Sequence, residues 1–154
     1  MRLVIQRVAT ATVSCAQGSR SIKKGLVVLF GAGANDDERH VGRLAQKTAN
    51  LRIFEDENGK MNLSALSCGH ELLVVPNFTL HADASHGLRP SFTDAARPET
   101  ALSLYEAYLA GLRGILPEGR VQSGFFGEVM TIDMQCHGPV TILLDTDEWE
   151  KGSG

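Results

Sequence analysis

Hydrophobic and polar positions along the chain follow two different periods, and the changes between them mark the elements. Leu3–Val8 reads as a strand, with Gln6 and Arg7 on opposite faces. Lys24-Gly25 then introduces the continuous apolar run Leu26–Phe30, which predicts a fully buried strand. From Asn35 the period lengthens. Val41, Leu44, Ala45 and Thr48 fall on one face of a helix that Asn35 is expected to cap, with Glu38 completing a capping box and an end near Asn50.

Leu51–Phe54 predicts a short strand, and Asn58-Gly59 in the turn Glu55–Gly59 supplies the positive φ of a hairpin. Glu71–Val75 predicts the next buried strand, running straight into Pro76–Leu80, and the polar stretch His81–Arg89 reads as a mobile loop. Pro98 suits the first turn of a second helix. Leu102, Tyr105, Leu109, Leu112 and Leu116 give that helix its apolar face, Glu106 and Arg113 lie opposite, and Pro117 stops it. In Val129–Gln135, Met130, Ile132 and Met134 alternate with Thr131, Asp133 and Gln135, as in a half-buried strand. Gly138-Pro139 is expected to turn the chain into Val140–Leu144, because a strand interior excludes proline, and a cis peptide suits such a turn. Strands outnumber the two helices. The expected fold is therefore α+β, with mainly antiparallel sheets packed in layers with two helices, in a single domain over 1–150 and a polar tail over 151–154.

Composition narrows the chemistry. A chain of 154 residues with 43% hydrophobic content fits one core, and a net charge of -3 supplies no general attraction to a polyanion, so any contact with RNA must be local. The three cysteines, Cys15, Cys68 and Cys136, are widely spaced and read as reduced thiols. Charge at Arg2 and Arg7 leaves no room for a signal-peptide core, and no apolar run reaches membrane-span length, so a soluble cytoplasmic protein without membrane contact is expected. Gly31-Ala32-Gly33 stands between a strand and a helix like a dinucleotide loop. It lacks a third glycine at the required spacing, however, and Asp36-Asp37 put negative charge where a pyrophosphate would dock. Cys136-His137, and His81 with His86, are the local pairs of metal-ligating type, and neighbours on a strand point apart; no metal and no cofactor are expected.

Two segments carry the functional reading: Pro76-Asn77-Phe78-Thr79-Leu80 and Cys136-His137-Gly138-Pro139-Val140-Thr141. Thr79 and His81 would share a face of an extended segment, which allows a threonine nucleophile with a histidine base and Asp83 as orienter. More often, such residues satisfy sheet or loop polarity. Arg89-Pro90-Ser91-Phe92 offers a phosphate contact, although an arginine before a proline turn is usually solvated surface.

Both segments resemble the paired signatures of the D-aminoacyl-tRNA deacylases, Ser-Gln-Phe-Thr-Leu and Asn-x-Gly-Pro-Val-Thr. The likeness extends collinearly through Arg2–Val8, Leu51–Asp56, Gly59–Asn62, Arg89–Phe92 and the second helix. It implies a homodimer that hydrolyses the ester between a D-amino acid, or glycine, and the terminal adenosine of tRNA, a chiral proofreading step in translation. By the same resemblance, Asn77, Phe78 and Thr79 are the catalytic positions, and Gly138, Pro139, Arg7, Val140 and Met130 bind and select the substrate. The Gly-Pro peptide would be cis and enter the partner's pocket, its carbonyls engaging the α-amino group, with Arg7 bracing it. The tRNA's own 2′-hydroxyl would assist attack. Asn77 replaces the usual Gln, Pro76 the usual Ser, Cys136 the usual Asn, and His137 the usual small polar residue. Pro76 points to a relaxed-chirality deacylase class, whereas Phe78 and Val140 point to the strict one, which is the reading favoured. A non-catalytic, dimeric protein that binds tRNA ends is the alternative.

Overall fold

A computed structural model describes residues 1–152. Its spine is β1 (Arg2–Cys15), far longer than the predicted Leu3–Val8, because Ala11 and Val13 continue the buried alternation between half-buried Thr12 and Ser14. The sheet runs β2 (Gly18–Ile22), β1, β3 (Gly25–Gly31), β6 (Glu71–Pro76), β7 (Val121–Ser123), and β8 (Thr131–Asp145) also pairs with β1. A separate hairpin joins β4 (Phe54–Glu55) to β5 (Met61–Leu63) around Gly59 at φ 72°.

The α+β class and the single body agree with expectation, but the sheet is mixed rather than mainly antiparallel. β3 pairs β6, and β6 pairs β7, in parallel. The reason lies in the connections: α1 (Val41–Asn50) lies between β3 and β6, and α3 (Pro98–Ile115) between β6 and β7, the crossovers that parallel neighbours require. The sheet curls until β2 meets β7, where the Arg20 guanidinium donates to the Ser123 carbonyl at 2.8 Å and the Gly124 carbonyl at 3.0 Å.

One core lies between the sheet and the helices, where Tyr108 is fully buried and donates to Thr48 Oγ1 at 2.9 Å. A second fills the curl with Val8, Val13, Val27, Leu73 and Phe125. The predicted face of α1 is the buried one and Asn50 ends it, but Asn35 is not its cap. Asp37 accepts from the Arg39 N–H and starts a 3-10 turn, Glu38–His40, that leads into the helix. In α3, Leu104 and Tyr108 take the deep positions, whereas Leu102 is half-buried. Two further helices went unread: α2 (Ala65–Cys68), with a Ser64/Ser67 capping box, and α4 (Thr146–Lys151), capped by Asp145. Lys151 thus ends a helix and Gly152 caps it; the rest of the expected tail lies outside the described residues.

β8 departs most from expectation. Gly138-Pro139 does not turn the chain; both lie within one strand that pairs with β1 on either side of them. The ladder tolerates the proline because the register shifts there and leaves those residues unpaired.

Candidate active site

β6 ends at Pro76, and the chain enters a 3-10 turn, Phe78–His81. The Asn77 N–H still donates to the Phe30 carbonyl at 2.7 Å, so the turn hangs directly from the end of the β3/β6 ladder. Close approach demands glycine at position 31: a β-carbon there would sit 2.9 Å from the Asn77 carbonyl oxygen and from Leu80 Cβ.

Asn77 and Phe78 form one wall of an open pocket of about 790 Å³. Leu29 and Val75 line its base, Phe92, Ala95 and Ala96 come from the segment before α3, and Phe126 and Met130 from the segment before β8. The Phe92 segment is tied down by Ala34 N–H to the Asp94 carbonyl at 2.8 Å and Ala96 N–H to the Ala32 carbonyl at 3.0 Å. Phe78 and Phe92 meet edge to face, centroids 5.2 Å apart, and remain 57% and 42% exposed. Two aromatic rings left this open at the mouth of an apolar hollow are a surface for a ligand.

The threonine–histidine arrangement does not form. Thr79 Oγ1 donates to the amide oxygen of Asn77, while His81 turns inward, buried, with Nε2 donating to the Gly31 carbonyl at 3.1 Å. Asp83 accepts instead from the hydroxyl and N–H of Ser85, which hold its carboxyl below the usual range. A 3-10 turn, unlike a strand, does not place residues two apart on one face. The glycine-rich turn is likewise filled from within, since the Asp36 carboxylate accepts the Gly33 N–H at 2.6 Å.

The second signature lies elsewhere. Gln6 pairs with Thr141 and Val8 with Cys136, so β8 places His137, Gly138, Pro139 and Val140 opposite Arg7 alone. The Gly138-Pro139 peptide is cis and Gly138 has φ 134°. Behind this bulge Arg7 is 4% exposed; its Nε donates to the His137 carbonyl at 3.0 Å and its Nη1 to the Ile53 carbonyl at 2.8 Å. Glu55 approaches to 4.0 Å but is itself largely exposed. Gly138 and Pro139 face solvent, and Val140 is half-buried against the main core.

Within one chain the expected site residues therefore fall into two groups. Asn77, Phe78 and Met130 line the pocket with Thr79 beside them, whereas Gly138, Pro139, Arg7 and Val140 form the bulge and do not line it. Phe92 and Phe126 were missed. Phe92 closes the Arg89–Phe92 segment read for phosphate, and its ring, not the arginine, lines the pocket.

A family model described as D-Tyr-tRNA(Tyr) deacylase matches residues 4–145. Two similar proteins named D-aminoacyl-tRNA deacylase come from Koribacter versatilis, 48% identical over 95% of this chain and 97% of its own, and from Akkermansia muciniphila, 47% identical over 97% and 100%. Among solved structures, a c-Myc DNA unwinding element binding protein superposes with TM-score 0.88 at 35% identity, covering 94% of this chain and 98% of its own. A probable eukaryotic D-amino acid tRNA deacylase shares the fold, with TM-score 0.78 at 16% identity over 93% of this chain and 97% of its own.

Proposed function

The chain belongs to the D-Tyr-tRNA(Tyr) deacylase family, and from that premise we propose that it hydrolyses the ester joining a D-amino acid to the 3′ end of tRNA. Water adds to the ester carbonyl, the bond to the ribose oxygen breaks, and a free amino acid and an uncharged tRNA leave. The pocket beside Asn77, Phe78 and Met130 receives the aminoacylated end. The Phe78 and Thr79 N–H groups open a helical turn, where no acceptor within the turn reaches them, and they steady the developing oxyanion. Thr79 is not the nucleophile in this reading: its hydroxyl is engaged with Asn77 and has no histidine to take its proton. The ribose 2′-hydroxyl beside the ester assists the attack, so the protein contributes position more than reactive groups.

Selection falls to the bulge. In a two-fold dimer, Gly138 and Pro139 of one subunit enter the pocket of the other, their carbonyls accept from the substrate's α-ammonium group, and the fixed main chain with Val140 leaves no space for an L side chain. Glycine, without a side chain, is hydrolysed too. The single observation that carries this reading is the separation itself: an apolar pocket open on one part of the chain, and a braced main-chain projection exposed on another. The tRNA substrate of this proposed reaction would be met in the cytoplasm; no helix among the described residues is long and apolar enough to cross a membrane.

Single-turnover hydrolysis of D-tyrosyl-, L-tyrosyl- and glycyl-tRNA, run beside sedimentation, tests the proposal. Expected are a dimer, release from the D and glycyl substrates, and a spared L form. Equal rates on D and L forms indicate relaxed selection, binding without turnover indicates a tRNA-end-binding protein, and a fully active monomer excludes the shared pocket.

A further inference from the structure

The wall of the pocket that carries Asn77, Phe78 and Thr79 is a single 3-10 turn, and such a turn holds itself weakly. The bonds at its two ends are Leu80 N–H to the Asn77 carbonyl at 3.3 Å, long for its kind, and Ala82 N–H to the Thr79 carbonyl at 3.0 Å. Two side chains that do not line the pocket hold it from outside. The His81 imidazole is wedged under the turn. Its Nε2 donates to the Gly31 carbonyl, and its Cε1 lies so close to Gly33 that a β-carbon there would stand 2.9 Å away. From the other side Arg2 forks, its Nη1 donating to the Leu80 carbonyl at 3.2 Å and its Nε to Asp145 Oδ2 at 2.9 Å. Asp145 is fixed in turn, because its second oxygen accepts the Asp147 N–H at 3.0 Å and caps α4.

We propose that Arg2 and His81 are positioning residues for this site, a two-point clamp that sets the main chain of Phe78 and Thr79 against the substrate ester. The inference rests on the functional reading above and adds residues outside both signatures. Arg2 and Asp145 are partly exposed, 42% and 23%, and an ion pair in that setting contributes little to global stability. What the fork does that a surface pair does not is fix the direction of the Leu80 carbonyl, and with it the end of the turn. Small displacements of positioned groups cost rate out of proportion to the stability they cost.

The test uses the full chain with Arg2→Met, which keeps an unbranched stem, Arg2→Lys, which keeps charge without the fork, and Asp145→Asn, which still caps α4. Single-turnover rate, KM, melting temperature and hydrogen exchange at the Leu80 and Ala82 amides are compared. For Arg2→Met the expected result is a roughly tenfold fall in kcat, KM within about twofold, an almost unchanged melting temperature and faster exchange at both amides. Arg2→Lys should recover part of the rate and Asp145→Asn should lose less than Arg2→Met. His81→Gln, which keeps a side-chain N–H donor, should exceed His81→Ala in rate. Wild-type kcat and wild-type exchange at both amides in Arg2→Met overturn the clamp, as does a rate loss matched by a general loss of stability. If the unmodified protein releases no D-amino acid, the functional reading fails, and the exchange measurement still decides the clamp.

Discussion

The turn at Asn77–His81 and the bulge at His137–Val140 both interrupt apolar runs beside a proline, yet they present opposite kinds of surface. At the turn, the surface presented is made of side chains gathered from distant segments: Phe78, Phe92, Phe126 and Met130 around a hollow. At the bulge it is main chain, exposed, and fixed from behind by one buried arginine. A side-chain surface degrades gradually as groups are trimmed. A main-chain surface depends on the few residues that set its path, so the two regions should respond to substitution very differently. The difference also bears on the proposed partnership, since Gly138 and Pro139 are exposed and do not line the pocket of their own chain.

Arg7→Met should break the comparison most severely. The His137 and Ile53 carbonyls would each lose a charged donor, and the guanidinium's place in the interior would be filled by a group that donates nothing. Leaving the buried Ile53 acceptor unpaired costs about 1–3 kcal/mol and the part-buried His137 acceptor less, so a loss of about 2–3 kcal/mol in unfolding free energy is expected, together with loss of the D over L preference. Urea denaturation and paired D/L rates measure both. An Arg7→Met protein of normal stability and selectivity would show that the bulge holds itself.

Gly138→Ala comes next and separates function from fold. A β-carbon at Gly138 would lie 2.7 Å from the Val140 nitrogen and 2.8 Å from Val140 Cγ2, at a φ of 134° that L side chains rarely adopt. The bulge must therefore move. Because it is exposed, the stability cost should stay near 1–3 kcal/mol, while the rate on D-aminoacyl-tRNA falls about a hundredfold. Retention of full rate and chirality would remove the bulge from the site.

The sequence made one of these regions far more legible than the other. Pro139 marks the bulge but reads as a turn into the strand Val140–Leu144, because the rule that excludes proline from strands does not say that a register shift can absorb it. On the pocket side the sequence points to Asn77, Phe78 and Met130, which do line it, but it reads the segment after Pro76 as extended where the chain makes a 3-10 turn, and it leaves out Phe92 and Phe126. Phe92 and Phe126 stand 14 and 48 residues beyond Phe78, the first brought back by the loop before α3 and the second only after α3 and β7 have returned the chain. His81, polar and next to a loop, gave no sign that it would be buried under Gly31 and Gly33. Local periodicity found the buried face of α1 and the Pro98 start of α3, since those depend on neighbours in sequence. It missed the parallel pairing of β3, β6 and β7, which depends on where the helical crossovers return the chain.

On the pocket side, Phe92→Ala tests the gradual response. The ring is 42% exposed and touches Phe78 at its edge, so its loss should cost under about 1 kcal/mol of stability. KM for the charged tRNA should rise several-fold with D/L preference intact, because the bulge is untouched. Altered chirality in Phe92→Ala would mean that side-chain walls, and not main chain, reject the L substrate.

The smallest expected effect lies behind the bulge and is a pH dependence. Ile53 and Glu55, which face Arg7, flank Phe54, and His70 packs edge-on against Phe54 with centroids 4.6 Å apart. Burial, with the nearby Lys24 and Arg120 charges, holds the His70 pKa below its ordinary 6.5. The unfolded chain therefore takes up this proton at a higher pH than the folded one, and the stability contributed by neutral His70 is full above about pH 6.5 and declines as pH falls toward the lowered value. The group is only half-buried, so the decline is small. Asp37, Asp56 and Asp83, whose carboxyls are also held low, lose their contribution only in the separate acid range below their ordinary 3.8. Denaturation at about pH 7.5 and about pH 5.5 should show a slight loss in the wild type that His70→Gln reduces, whereas Phe92→Ala leaves it unchanged. A slope unaffected by His70→Gln would place the titrating group elsewhere and leave the support under the bulge insensitive to pH.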